Sequence, residues 1–141
     1  MRWQPTRRLA TWALAVYAIA MLFIVFQPLP ILATGWVTVG HDLLMRVGAP
    51  PWTTAGVVEW IWNVAMFVPL TLLGTFVAPR VNVPQWVSAG FLTCLLIEVV
   101  QLLVLPDRSA SLVDISANTL GAFVGALLGR ALSSGVREGR G

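Results

Sequence analysis

Four long apolar stretches constrain the fold of this chain more than any other sequence feature. They cover residues 9–26, 57–77, 85–105 and 112–132, and each is 18 to 21 residues long. About 20 helical residues cross a hydrocarbon core roughly 30 Å thick. The stretches also lack the polar stripe that the outer face of a water-soluble helix needs. We therefore predict an all-α integral membrane protein built as a four-helix antiparallel bundle, in which the short connections at 78–84 and 106–111 make the last three helices direct antiparallel neighbours.

The composition supports this class. Charged residues make up 11% of the chain and hydrophobic residues 57%, whereas a soluble domain carries about 25% charged residues. These values exclude disorder, an ordinary soluble enzyme and a nucleic-acid-binding domain, so no nucleic acid is expected as a partner. The 141 residues suffice for a single domain, which we place at 1–132. The first stretch exceeds a usual signal-peptide core and has no A-x-A site after it, so we expect it to remain as a span.

The basic residues, all nine of which are arginines, set the orientation. Seven of them lie at the N-terminus, between the second and third stretches, or at the C-terminal end. The positive-inside rule then places both termini in the cytoplasm, with 133–141 as a cytoplasmic tail. A long extracytoplasmic loop follows the first helix. Its segment 37–47 allows a short amphipathic helix on the outer surface.

Six polar side chains interrupt the last three stretches. Placing such groups inside a membrane costs free energy, so we expect each to have a structural or functional role. Each stretch carries two of them, at the i, i+3 or i, i+4 spacing that shares one helix face. At about 1.5 Å per residue, the deeper members lie about 9–10 Å below the outer surface and the shallower ones about 3–6 Å. The pairs are Glu59 and Asn63, Glu98 and Gln101, and Asp114 and Asn118. We expect them to meet in one outward-facing polar pocket.

Three glycines continue the polar face of the fourth helix at a spacing of four residues: Gly121, Gly125 and Gly129. Such a row lets a neighbouring backbone approach closely, which is a common means of helix packing in membranes. We therefore assign these glycines to helix packing and expect the polar face to point into the bundle. Arg108, in the loop above, can reach down to Glu98 or Asp114.

Each polar residue also has a structural interpretation. Glu98 can be a ligand site or proton carrier, or an interhelical hydrogen-bond partner. Asp114 also fits a capping box with Ser111. Arg108 can hold an anion or pair with a neighbouring carboxylate, and the two asparagines can join helices or contact a ligand. No metal or cofactor is expected, because the chain has one cysteine and one histidine.

The compound spacing E-x2-Q-x6-R-x5-D-x3-N-x2-G-x3-G, which runs from Glu98 to Gly125, resembles the VanZ-like family of small bacterial membrane proteins. The segment NVAMFVPL at 63–70 extends the resemblance, which covers about residues 60–128. Thr71 is one departure, since the family usually has glycine after Pro-Leu. The resemblance implies a bacterial cytoplasmic membrane location. It also implies a link to teicoplanin-type glycopeptide resistance, acting at the cell surface.

Residues and resemblance together predict a protein that binds or modulates an amphiphilic cell-envelope component, such as a membrane lipid or a lipid-linked cell-wall precursor. The expected ligand-binding residues are Asn63, Glu98, Gln101, Arg108, Asp114 and Asn118. The alternative is a membrane enzyme acting on a lipid or lipid-linked head group, with Glu98 and Asp114 as acid and base and Arg108 as anion clamp. Against catalysis, the chain has no Ser-His pair, histidine cluster or phosphate loop. The sequence leaves catalysis and oligomeric state open.

Overall fold

The computed structural model describes residues 4–27, 30–104 and 111–138, with side chains described within 7–27, 34–104 and 111–133. This part of the chain forms helices and no strands. The helices are α1 (Gln4–Val25), α2 (Pro30–Arg46), α3 (Ala55–Val77), α4 (Val83–Val104) and α5 (Leu112–Glu138). Four of them, α1, α3, α4 and α5, are long and apolar enough to cross a membrane. The predicted all-α class and the four apolar spans are confirmed.

The connection after α1 is more helical than the sequence pattern predicted. Helix α2 begins at Pro30 and has 17 residues, whereas a helix was expected only over 37–47. Proline suits the first position of a helix, because its missing N–H would have no partner there. Residues 31–39 are too uniformly apolar to show the polar face that marks a surface helix, so the pattern did not reveal the true start.

Helix α5 also extends beyond its predicted end at residue 132 and continues to Glu138. The predicted tail is therefore helical over 133–138. No proline occurs in this segment, and a glycine such as Gly135 costs a helix interior only about 1 kcal/mol relative to alanine. Nothing in the local sequence therefore ends the helix at 132.

Side-chain caps fix the starts of α3, α4 and α5. The Thr54 hydroxyl accepts the backbone N–H three residues later at 3.4 Å. Asn82 and Gln85 cap each other reciprocally, each side-chain oxygen accepting the other's backbone N–H at 2.9 Å. The Ser111 hydroxyl accepts the backbone N–H of Asp114 at 3.3 Å, as the sequence predicted. Each cap satisfies N–H groups that a helix start leaves without an intrahelical partner.

Helix α5 is the central element. It packs along α3 on one side and along α4 on another, while α3 and α4 make few contacts with each other. This differs from the side-by-side packing that the short connection between α3 and α4 predicted. Gly121, Gly125 and Gly129 of α5 are buried. Their partners on α3 are, in the same order, Val64, Val68 and Thr75.

These contacts also give the relative directions of the helices. Successive glycines along α5 contact successively later residues of α3, so the two helices are parallel. Contacts on α4 run opposite to those on α5, with Gly90 against Ala122 and Cys94 bonded to Asn118. The starts of α3 and α5 therefore lie at the end of the bundle where α4 finishes.

Large apolar side chains remain exposed on the outer surfaces of the spans. Phe23 on α1 is 77% exposed and Leu103 on α4 is 80% exposed. A small buried cluster lies inside and includes Phe67, Cys94 and Ile97. An apolar exterior around a small buried core is the arrangement that a lipid surrounding favours.

Candidate functional site

A cavity of about 410 Å³ lies near the starts of α3 and α5 and the end of α4. All six polar residues that the sequence singled out within the spans line it. They are Glu59, Asn63, Glu98, Gln101, Asp114 and Asn118. The remaining lining residues are apolar or aromatic and come from α1, α2, α3 and α4: Ile24, Val25, Trp36, Val37, Trp62, Met66, Phe67 and Ile97. The cavity lining therefore combines polar groups from α3, α4 and α5 with an apolar wall, to which α1 and α2 contribute only apolar or aromatic residues.

Glu98 is buried, with 6% of its surface exposed. Its Oε2 accepts the backbone N–H of Ser111 at 3.0 Å, where α5 begins. A carboxylate suits this position, because the N–H groups at a helix start carry partial positive charge. Glu98 thus joins the end of α4 to the start of α5 and also lines the cavity.

A second polar contact joins α3 to α5. The Asn63 amide donates to Oδ1 of Asp114 at 2.7 Å. Both side chains are half-buried. Asp114 therefore combines the two roles that the sequence allowed, since its backbone N–H takes part in the cap and its carboxylate faces the cavity.

The third contact reaches α1. Gln101 is 7% exposed, and its Nε2 donates to the backbone carbonyl of Val25 at 2.9 Å. Val25 is the last residue of α1, where carbonyls have no partner within the helix. The Gln101 amide therefore ties the end of α4 to the end of α1 beside the cavity.

Asn118 is buried to the same extent as Gln101. It is 7% exposed, and its Nδ2 donates to the Cys94 sulfur at 3.0 Å. Its Oδ1 is buried and has no hydrogen-bond partner among the described residues. Most buried polar atoms are paired, so this oxygen is an exception among the described residues, which it shares with the Trp86 indole nitrogen.

The residues around Arg108 lie outside the described part of the chain, which ends at 104 and resumes at 111. The expectation that Arg108 reaches down to Glu98 or Asp114 therefore remains a prediction. Among the described lining residues, the ionisable side chains are all carboxylates: Glu59, Glu98 and Asp114. The described residues contain no group of His, Cys, Asp or Glu side chains arranged to hold a metal ion.

The apolar wall is the part of the site that sequence reasoning missed. The sequence pattern predicted no role in the site for Trp36, Trp62, α1 or the connection that follows α1. Helix α2 brings Trp36 to the cavity by packing on α3. A Cβ at Gly40 would lie 2.8 Å from the indole nitrogen of Trp62, so the backbone of α2 lies directly against this side chain. The ring Nε2 of His41 also lies 3.1 Å from the Thr53 carbonyl oxygen.

Comparison with protein families gives a match to the VanZ/LLP1 model over residues 14–133. The chain belongs to the VanZ/LLP1 family. The VanZ/LLP1 match includes all described residues that line the cavity, both the polar groups and the apolar wall. It confirms the resemblance found in the sequence and extends it to α1 and α2. No match was found among curated proteins or among solved structures.

Proposed function

We propose that this VanZ/LLP1 protein binds an amphiphilic component of the bacterial cell envelope in the cavity. The observation that carries the proposal is that the lining combines carboxylates and amides, all from α3, α4 and α5, with apolar and tryptophan side chains, which include every lining residue of α1 and α2. A volume of about 410 Å³ falls within the range of about 300–1,000 Å³ typical of small-ligand sites. A head group would bond to the polar groups, and the start of an acyl or prenyl chain would lie along the wall.

The proposed orientation places the cavity in the outer half of the cytoplasmic membrane, with both termini in the cytoplasm. Arg80 lies between α3 and α4, and Arg130 lies near the end of the membrane-crossing part of α5. The Arg130 guanidinium donates to the Val81 carbonyl at 2.6 Å, so these two arginines share one end of the bundle. The cavity lies near the opposite end, where α3 and α5 begin. The positive-inside rule supports a cytoplasmic position for the arginine-rich end.

This location would also account for an effect on glycopeptide susceptibility. A membrane lipid or lipid-linked cell-wall precursor held at the outer leaflet would be less accessible to a teicoplanin-type drug at the cell surface. The proposal therefore links ligand binding and drug susceptibility through one site. Substitutions in the cavity should change both together.

A membrane enzyme acting on a lipid head group is the second candidate. The observation in its favour is that Glu98 and Asp114 line the same cavity, as an acid and base pair requires. Glu98→Gln separates the two candidates, because it keeps shape and hydrogen bonding but removes the acid. Retained ligand binding with no change in lipid composition would favour binding alone. Accumulation of an unprocessed lipid in cells carrying Glu98→Gln would favour the enzyme.

The direct test is extraction and mass spectrometry of lipids that remain with the purified full-length protein. A lipid enriched over the bulk membrane is expected with the wild type and lost in Asn63→Leu, which removes a polar group from the cavity. Leu92→Ala is the matched control, since Leu92 is 61% exposed on the outside of α4 and does not line the cavity. Equal lipid profiles for all three proteins would refute the proposed function.

A further inference from the structure

We infer that the amphiphile bound in the cavity has a sugar head group, whose ring lies against Trp36 and Trp62 and whose hydroxyls bond to Glu59 and Asn63. The inference rests on the proposed function and adds the chemical class of the head group. All four residues line the cavity and are half-buried or exposed. We call them the mouth residues, because accessible lining residues lie where a cavity opens.

Helix geometry places the mouth residues together. Trp62 and Asn63 follow Glu59 by three and four residues, so these three side chains share one face of α3. Trp36 comes from α2, one helical turn before Gly40. The α2 backbone at Gly40 lies directly against the Trp62 indole and holds the ring in place. A ring that is fixed before the ligand arrives loses little conformational entropy on binding.

The two indoles match the apolar face of a sugar ring. Trp36 is 68% exposed and Trp62 is 43% exposed, so much of each aromatic surface is free of protein contacts. An aromatic ring is negative over its face, and the C–H groups on one side of a pyranose form a flat, weakly positive surface that packs against it. A flexible head group such as glycerol has no comparable surface. The paired tryptophans therefore favour a ring.

The polar mouth residues are partners for hydroxyl groups. The Asn63 amide donates one N–H to Asp114, and its Oδ1 makes no hydrogen bond among the described residues. The Glu59 carboxylate likewise has no hydrogen bond or ion pair within the described part of the chain. A hydroxyl both donates and accepts, so it can bond to the carboxylate and to either atom of the amide. A sugar has several hydroxyls on neighbouring carbons, enough for both residues.

A quaternary ammonium is the rival head group, because tryptophan faces and a carboxylate both attract a cation. Such a group has no N–H or O–H donor, so it would leave the Asn63 oxygen without a bond. Sugar hydroxyls satisfy the amide and the carboxylate together, while the ring covers the indoles. The combination of two tryptophans with an amide therefore favours the sugar.

The test compares four amphiphiles that share one octyl chain and differ in the head group. Octyl glucoside has a ring with hydroxyls, octylglycerol has hydroxyls without a ring, octyl tetraoxyethylene has one terminal hydroxyl, and octylphosphocholine carries a quaternary ammonium. Binding to the full-length protein in lipid nanodiscs is titrated by saturation-transfer NMR, with empty nanodiscs as the blank. Octyl glucoside should bind about tenfold or more tightly than octyl tetraoxyethylene. Saturation should reach the ring C–H protons of one sugar face most strongly.

Substitutions at Trp62 separate the aromatic face from the rest of the cavity. Trp62→Leu should weaken octyl glucoside binding about two- to tenfold, and Trp62→Phe, which keeps an aromatic face, should weaken it less. Trp52→Leu is the matched control with wild-type affinity, because Trp52 is exposed and does not line the cavity. Circular dichroism checks folding. If Trp62→Leu unfolds, Trp36→Leu replaces it, and the amphiphile series on the wild type still decides the question.

Competition against octyl glucoside identifies the source of the sugar. Displacement by a diacylglycerol glucoside would indicate a membrane glycolipid, and displacement by a polyprenyl-phosphate-linked glucose would indicate a lipid-linked precursor; either supports the inference. Methyl glucoside, which has no tail, should not compete at the same concentration. Equal competition by methyl glucoside would contradict binding of an amphiphile.

The outcomes distinguish this inference from the proposed function. Equal binding of the four octyl amphiphiles, reduced in Asn63→Leu, would overturn the sugar assignment and leave the amphiphile site standing. Octylglycerol binding as tightly as octyl glucoside would overturn the role of the ring, and tightest binding of octylphosphocholine would overturn the sugar in favour of a cation. If every amphiphile bound the wild type and Asn63→Leu alike, the proposed function would fail as well.

Discussion

Replacement of Gly125 by alanine tests the close approach of α3 and α5, on which the geometry of the cavity depends. The new Cβ would lie 3.0 Å from the carbonyl carbon of Val68 and would also meet the carbonyl oxygen of Val68 and the Thr71 hydroxyl. Carbon atoms pack best at about 3.5–4.0 Å. Backbone atoms cannot rotate away from the new methyl group, so α3 and α5 would have to separate by roughly 0.5–1 Å. A gap of that size removes about a quarter to a half of the dispersion energy of each contact between the two helices.

We expect Gly125→Ala to lower the free energy of unfolding by about 1–3 kcal/mol, the usual cost of overpacking. The matched control is Gly35→Ala on α2, where a Cβ meets nothing within 4 Å. In that open position alanine should be neutral or stabilise by up to about 1 kcal/mol. The assay is reversible unfolding of the purified proteins in mixed micelles, followed by circular dichroism. Equal stabilities of Gly125→Ala and Gly35→Ala would refute the close packing of α5 on α3.

Three further predictions concern the polar contacts. A double-mutant cycle on Asn63 and Asp114 should give a coupling of about 0.6 kcal/mol and no more than about 1.7 kcal/mol, as for other hydrogen bonds in membranes; zero coupling would show that the pair is not formed. Glu98→Gln should unfold less readily than Glu98→Met, because glutamine still accepts the Ser111 N–H, whereas methionine leaves this N–H without its acceptor at a cost of about 1–3 kcal/mol; the two variants are compared by denaturant unfolding. Cys94, which is fully buried, should react with a maleimide only after unfolding, and rapid labelling of the folded protein would contradict its position between α4 and α5.

The polar half of the site was predictable because helix geometry alone determines it. A spacing of three or four residues puts Glu98 with Gln101, and Asp114 with Asn118, on single faces. The four spans and their order then bring those faces to one end of the bundle. Sequence could not supply the partner atoms, because the Val25 carbonyl and the Cys94 sulfur become acceptors only through tertiary packing.

The apolar half was not predictable for a different reason. Helix α2 has no clear polar face at its start, so its sequence gives neither its length nor the direction in which Trp36 points. Its position depends on the absence of a side chain at Gly40, where the helix lies against Trp62. One glycine in a connecting segment gives no signal that distinguishes a packing contact from a turn. The central position of α5 also depends on three-dimensional packing, since a short connection predicts that α3 and α4 are direct neighbours.

The central claim is that side chains from several spans line one cavity open to the outside of the cell. It is tested most directly by single cysteines in a Cys94→Ala background, treated in intact cells with a membrane-impermeant thiol reagent. Val37→Cys and Asn63→Cys, in the cavity, should react from outside, and an added amphiphile should slow their reaction. Leu92→Cys, on the lipid-facing side of α4, should not react. Labelling of the cavity positions only after the cells are permeabilised, or at the same rate as Leu92→Cys, would contradict the account.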